Sequence, residues 1–391
     1  FKSINKYSKI KKYIKMIKAW SYIEEYKDLR KKILKSIDKT LEFGQIFFGK
    51  ELQKFEKQFI KKYNFKYGAA VGSGTDAIYI ALLSLGIGKN DEVITVANTA
   101  IPTVSAIIGT GANVRFADIG NDYLINTEKI EKCISKKTKA IVPVHLYGQA
   151  CNMEKICKIA KKYKLKIIED CAQAQGAKFK GKFVGSFGDA GCFSFYPTKI
   201  LGTYGDGGFI STNSMELSKK IKRIRFYGIE QDDKKNMFNK KYYSIEHGIN
   251  SRLDEMHSAI LNIKLPKVNS WIKQRKKLAK LYYQKLKNCS LKFPIEKKDC
   301  NHVFHLYVVY HPKRDMIIKK LKKQKIETNI NYPFPIHKMK AYSKLISSKF
   351  NYLPVTEKMA KGIFSLPLYP KLNKTKVLKI AKVLRKILRT V

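Results

Sequence analysis

Arginine is scarce in this chain: nine residues in 391, against seventy lysines and 31 acidic residues, for a formal charge of +48 at pH 7. Charge of that size attracts polyanions. Phosphate and base readers, however, lean on the planar arginine fork, and the lysines run along the whole length without gathering into a stripe. Dispersed lysine beside abundant Ile, Asn and Tyr reads as AT-rich codon usage, so nucleic acid is set aside as a partner. Paired cysteines are also missing. Cys133, Cys151, Cys157, Cys171, Cys192, Cys289 and Cys300 form no CxxC and no metal spacing, and an odd number scattered through apolar stretches reads as the reduced thiols of a cytoplasmic protein. No apolar run approaches the roughly 18 residues of a membrane span, so no membrane partner is expected. Residues 1–15 are basic but lack an apolar core and a small-residue cleavage site, which excludes a secretory signal. They are expected to be an extension without a role in the fold, which would then start near Met16.

What is present is a regular alternation. Apolar residues at helical spacing (Leu29, Ile33, Ile37, Leu41) predict a helix over 26–43 that stops at Gly44. From Gly68 to about Thr212, short apolar runs (AAVGSG, EVITVA, VRFADI, AIVPVHLYG, KIIEDCA, GGFIST) alternate with helical stretches at 76–85, 104–110 and 153–162. That pattern predicts βαβ units and a mostly parallel sheet covered on both faces, because runs such as AIVPV are apolar on consecutive residues. Helical pattern returns over 254–264 and 267–286. A strand (HLYVVYH), a helix over 315–323 and a final amphipathic helix over 374–388 follow. The expected division is a large α/β unit over 16–266 and a smaller α/β unit over 267–391.

Three motifs carry chemistry. GSGTDA (Gly72 to Ala77) leaves a strand and opens a helix, where backbone N–H groups and the positive helix end suit an anion such as phosphate. It is also a common structural turn, and it matches neither the P-loop nor the dinucleotide fingerprint. In IIEDCAQAQGA, Asp170 ends an apolar strand, where a carboxylate needs a partner: a cation, a helix start or a protonated ring nitrogen. In SFYPTKILGTYGDGG, Lys199 lies between aromatic and small residues in a glycine-rich loop, away from any solvated helix face. Such a lysine is a candidate for a lowered pKa and attack on carbonyls. Anion cradle, strand-end aspartate and loop lysine, in that order and with Ser194 just ahead of the lysine, are together what pyridoxal 5′-phosphate requires.

With those motifs, FGQIFFGKELQKFEKQF, VPVHLYGQ and GINSRLDEMHSAIL complete a resemblance. Residues 26 to about 370 resemble the DegT/StrS family of sugar-nucleotide aminotransferases, a branch of the fold-type I pyridoxal phosphate enzymes. The resemblance implies an α/β fold, with a mostly parallel seven-stranded sheet in the large domain and a smaller C-terminal α/β domain. It further implies a homodimer with shared active sites. Lys199 resembles the Schiff-base lysine and Asp170 the partner of the pyridine nitrogen. Gln173 falls near the cofactor's 3-hydroxyl, and Ser194 matches the phosphate-binding serine. Gly74, Thr75 and Asp76 match the turn whose amides hold the phosphate, and Asn250 resembles an asparagine that reaches it from the neighbouring subunit. Ala100 departs from the pattern: many members stack an aromatic residue on the ring there, which leaves the cover to Ile101 or another side chain.

His305 and His337 fall where the family lines its substrate pocket, while His145, in a strand, reads equally as a core residue or a ligand. No metal is expected. The implied reaction passes an amino group, from glutamate as the expected donor, to a nucleotide-linked keto-6-deoxyhexose. VHLYGQ leans toward a 3-keto sugar. A dehydratase of the same family would carry histidine in place of Lys199, and a regulator that keeps the fold without catalysis would not need the Lys199–Asp170 pair.

Overall fold

The computed structural model describes residues 16–230, 242–344 and 352–391, so the extension expected over 1–15 lies outside the described residues. Seven strands build the central sheet: β1 (Tyr67–Val71), β2 (Glu92–Thr95), β3 (Asn113–Phe116), β4 (Thr138–Ile141), β5 (Lys166–Asp170), β6 (Ala190–Ser194) and β7 (Gly208–Thr212). Their order is β1-β7-β6-β5-β4-β2-β3. All run parallel except β7, which is antiparallel to both neighbours. Six strands match the runs read from sequence. The seventh, AGCFS at Ala190–Ser194, is buried throughout but carries glycine and serine in place of a continuous apolar run.

Alternate residues point to opposite faces of each strand, so each face collects its own core. Ala70, Ile94, Ile141, Ile167, Phe193 and Phe209 share one face. Ala69, Val93, Ala140, Ile168, Cys192 and Ile210 share the other. Helix α1 (Ile23–Phe43) and α2 (Lys50–Tyr63) contribute to the first core, and α3 (Gly74–Ser84) and α4 (Ile101–Gly109) to the second. Phe55 and Phe59 of α2 stand on Phe195 and Phe209, with ring centroids 5.2 and 4.6 Å apart. Such aromatic pairs add about 0.5–1.5 kcal/mol each beyond the area they bury. The start of α2 is capped from far along the chain. Buried Glu255 accepts from Gly49 N and Glu51 N at 2.8 Å and from Leu52 N at 3.1 Å. A carboxylate there satisfies three orphan donors and faces the positive helix end.

Next come α5 (Met153–Tyr163), α6 (Met215–Ile224), α7 (Glu255–Lys264) and α8 (Val268–Leu286). A 3-10 turn, Leu265–Lys267, joins α7 to α8. Beyond it, β8 (Tyr307–Tyr310) pairs antiparallel with β9 (Ile363–Leu366). Helices α9 (Arg314–Lys323), α10 (Pro354–Gly362) and α11 (Lys374–Leu388) follow the same half of the chain. Tyr282, Ile317, Phe364 and Leu384 form its core. Ile17, from the start of the described chain, packs into this C-terminal core and pairs with Ile326.

Candidate active site

Because β1, β5 and β6 are parallel, their last residues reach one edge of the sheet, and antiparallel β7 starts there. That edge therefore gathers the turn after Val71, the carboxylate of Asp170, Ser194 and the loop to Gly208 that carries Lys199. Ligands of parallel sheets bind at this edge. A surface groove of about 950 Å³, lined by Ile167, Asp189, Thr212 and Lys220, opens at the opposite edge.

Ser73 caps α3 and accepts from Asp76 N at 3.0 Å. Of the three amides expected to hold phosphate, Asp76's is thus already engaged, while helix geometry leaves those of Gly74 and Thr75 without intrahelical partners. The Asp76 carboxylate instead accepts from Ser251 Oγ at 2.8 Å, and Ser251 Oγ accepts from Gly72 N at 2.9 Å, tying the turn to the GINSR segment. Gly74 faces Ser194 so closely that a Cβ on it would lie 2.6 Å from the serine Cβ. Glycine is required there by approach, because a side chain would collide with Ser194.

Asp170 is buried, its Oδ2 accepting from Thr103 Oγ1 at 2.8 Å and its Oδ1 from Ala172 N at 3.1 Å. Thr103 in turn contacts Thr99 Oγ1 at 2.9 Å. Lys199 is half-buried, and desolvation lowers its pKa from 10.5 to about 8 against the opposing pull of the Asp170 charge. The result is an amine that is readily deprotonated beside a fixed negative charge.

Buried Gln173 accepts from Tyr147 N at 2.9 Å and donates through Nε2 to Tyr332 Oη at 2.9 Å. Ala100 is the N-cap residue of α4 and brings no capping side chain, and Ile101 beside it is 45% exposed. Asn250 is exposed, and its segment pairs with Phe226.

The histidines separate. His305 is buried, and desolvation, with the positive charges of Lys199 and Arg275, pushes its imidazole well below the usual range, so it is neutral beside the lysine. Its Nδ1 has no hydrogen-bond partner among the described residues. Arg275 holds the adjoining segment by donating to the carbonyls of Phe304, His305 and Leu368 at 3.3, 3.0 and 2.9 Å. His337 instead engages Glu357 Oε1 at 3.0 Å and lies edge-on to Phe116, contacts that fasten it to α10 and the sheet rather than to the Lys199 cleft. His145 resolves as a core residue. Its Nδ1 accepts from Cys151 N, so Nε2 carries the proton and donates to Glu169 Oε2, each at 3.0 Å. Glu169 also accepts from Gly185, Phe187 and Gly188 N. The side chains of His145, Glu169 and Cys171 cluster closely enough to suggest a metal, but these hydrogen bonds occupy the imidazole and the carboxylate.

Thr103 and Tyr332 are site residues that the motifs did not single out. Thr103 lies two residues beyond Ile101, but Tyr332 is 159 residues from Gln173. An anion cradle, a readily deprotonated lysine and a buried carboxylate at one sheet edge fit pyridoxal phosphate: Gly74, Thr75 and Ser194 for the phosphate, Lys199 for the aldehyde carbon and Asp170 for the ring nitrogen.

Comparison with known proteins agrees. The chain is 41% identical over 360 residues to dTDP-3-amino-3,4,6-trideoxy-alpha-D-glucose transaminase of Micromonospora megalomicea subsp. nigra, covering 90% of this chain and 94% of that one. It is 41% identical over 354 residues to a pleiotropic regulatory protein of Geobacillus stearothermophilus, covering 90% and 92%. Its fold superimposes on the crystal structure of S. venezuelae DesV in complex with a ketimine intermediate with a TM-score of 0.92 and 34% identity, covering 97% of this chain and all of that one. Residues 27–385 match the DegT/DnrJ/EryC1/StrS aminotransferase family, and the chain belongs to this family of pyridoxal phosphate-dependent enzymes.

Proposed function

We propose that this enzyme aminates a nucleotide-linked keto-6-deoxyhexose, with glutamate as amino donor, in a cytoplasmic route to amino sugars. The carrying observation is the half-buried Lys199 beside the fixed Asp170 carboxylate, opposite the Gly74–Ser194 cradle. A ketone at C3 is the favoured substrate, supported by the 3-amino product in the name of the Micromonospora relative. The complete lysine–aspartate pair weighs against a regulator without catalysis.

The cofactor, when bound, supplies the electron sink for charge that develops on the reacting carbon. Asp170, oriented by Thr103 and Ala172 N, keeps the ring nitrogen protonated and so sustains that sink. Lys199 Nζ would hold the cofactor at its aldehyde carbon and, as a free amine, would move a proton at the reacting carbon. Its lowered pKa suits both tasks. Gln173 binds at the ring's 3-oxygen. His305, neutral and beside Lys199, offers a ring nitrogen to a sugar hydroxyl without adding charge to the cleft. The two units flanking Lys267 close the site between them. Asn250 serves the phosphate of a second copy, a reading supported by its exposure near Phe47 and Tyr227, which are 36% and 45% exposed. Arg252 bridges Phe47 and Phe226 on this surface. Among the described residues no helix is long and apolar enough to cross a membrane.

The test is direct: protein loaded with pyridoxal phosphate, glutamate, and a panel of nucleotide-linked 3-keto and 4-keto sugars, with products read by mass. A 3-amino sugar is the expected product. Amination of none of the panel by protein that has captured the cofactor would refute the substrate assignment.

A further inference from the structure

The hydrogen bonds around Gln173 leave two protons unspent. Its carbonyl is taken by Tyr147 N, and its Nε2 spends one of two protons on Tyr332 Oη. Tyr332 is the acceptor in that bond, so its own phenolic proton is free, and it has no acceptor among the described residues. The phenol is delivered on a braced segment: Tyr147 Oη donates to Asn331 O, and Ser365 Oγ donates to Asn331 Oδ1 at 3.0 Å. Asn329 pairs with Ser365 of β9, so the segment is an extension of the C-terminal sheet. Two donors therefore converge near Asp170, Gln173 from the same half of the chain and Tyr332 from the other. Burial and the Asp170 charge raise the Tyr332 pKa to about 12, which keeps the phenol protonated and a donor at working pH.

The chemistry of the cofactor selects the acceptor. Its ring has a nitrogen, an aldehyde carbon, a phosphate arm and a 3-oxygen. Asp170, Lys199 and the Gly74–Ser194 cradle account for the first three. We propose that Tyr332 is a cofactor-binding residue: its phenolic O–H and the remaining Nε2 proton of Gln173 both donate to the 3-oxygen of pyridoxal phosphate. This rests on the site assignment above. A donor to that oxygen stabilises the proton-poor state of the bound cofactor, so losing it raises the pH at which the visible band titrates.

The experiment compares wild type with Tyr332→Phe in binding pyridoxal phosphate and 3-deoxypyridoxal phosphate, which lacks the oxygen, and in the pH titration of the visible band. Tyr332→Phe should bind pyridoxal phosphate about tenfold more weakly, the scale of one hydrogen bond to a charged group. It should bind the 3-deoxy analogue as wild type does, and its band should titrate at higher pH. Equal weakening for both cofactors overturns the proposal, because the loss is then general packing. Unchanged cofactor affinity and titration with a raised KM for the sugar overturn it too, by assigning the phenol to the substrate. Difluorotyrosine in place of Tyr332 keeps the shape with a stronger donor, and should move the titration to lower pH even if the phenylalanine variant folds poorly. Failure of the wild-type chain to capture pyridoxal phosphate at Lys199 would instead remove the underlying site assignment.

Discussion

The charge pair at the sheet edge makes a quantitative claim about which of seventy lysines reacts with pyridoxal phosphate. Lys199 has its pKa lowered to about 8, against 10.5 for an ordinary lysine. At pH 7 about one-tenth of it is free amine, roughly 300 times the fraction for an exposed lysine. Limiting pyridoxal phosphate followed by borohydride should therefore label one peptide, the one containing Lys199. The capture rate should climb with pH and flatten above about 8. Asp170 supplies the sharper arm of the test. Its carboxylate favours the charged ammonium and so raises the lysine's pKa, while burial lowers it. In Asp170→Asn only the burial remains, so the inflection should move to lower pH. Turnover should nonetheless fall by roughly a hundredfold or more, because the ring nitrogen loses the charge that keeps it protonated. Easier capture with lost turnover separates the two roles of one carboxylate. An inflection near that of free lysine, or one that rises in Asp170→Asn, would refute the electrostatic reasoning.

Gly74→Ala would put a methyl 2.6 Å from Ser194 Cβ; titration should show weakened pyridoxal phosphate binding, with helical circular dichroism preserved. Glu255→Gln removes the charge that three amides at the start of α2 share, and should lower stability by about 2–3 kcal/mol in urea unfolding. Chains bearing Lys199→Ala, mixed under subunit exchange with chains bearing a severe Asn250 substitution, should regain part of the lost activity. A heterodimer would collect both lesions in one site and leave the other whole, and an active monomer by sedimentation would exclude shared sites.

The parts of this enzyme that could be read from sequence are those whose chemistry is local. Lys199 stands out because the serine ahead of it and the glycines behind it lie in one short loop, and Asp170 because a carboxylate at the end of an apolar strand needs a partner. Six sheet strands are legible for a similar reason, each an apolar run with a turn at its end. AGCFS and the four-residue strand Ile363–Leu366 are not, since Gly191, Ser194 and Ser365 interrupt apolar runs of only five and four residues.

What escaped is what long-range folding assembles. Thr103 reaches Asp170 across 67 residues, Tyr332 reaches Gln173 across 159, and Glu255 reaches the start of α2 across more than 200. A threonine, a tyrosine and a glutamate carry no local mark of such tasks; their roles come from the polar group each one finds. The same logic separates the histidines. His305 and His337 looked alike in sequence, but His337 found Glu357, whereas His305 was left neutral, with Nδ1 unpartnered, beside Lys199. A buried polar atom without a protein partner costs about 1–3 kcal/mol unless a ligand supplies one. On the reading proposed above, the unspent groups of His305, Tyr332 and Gln173 are those that the cofactor and the sugar would complete.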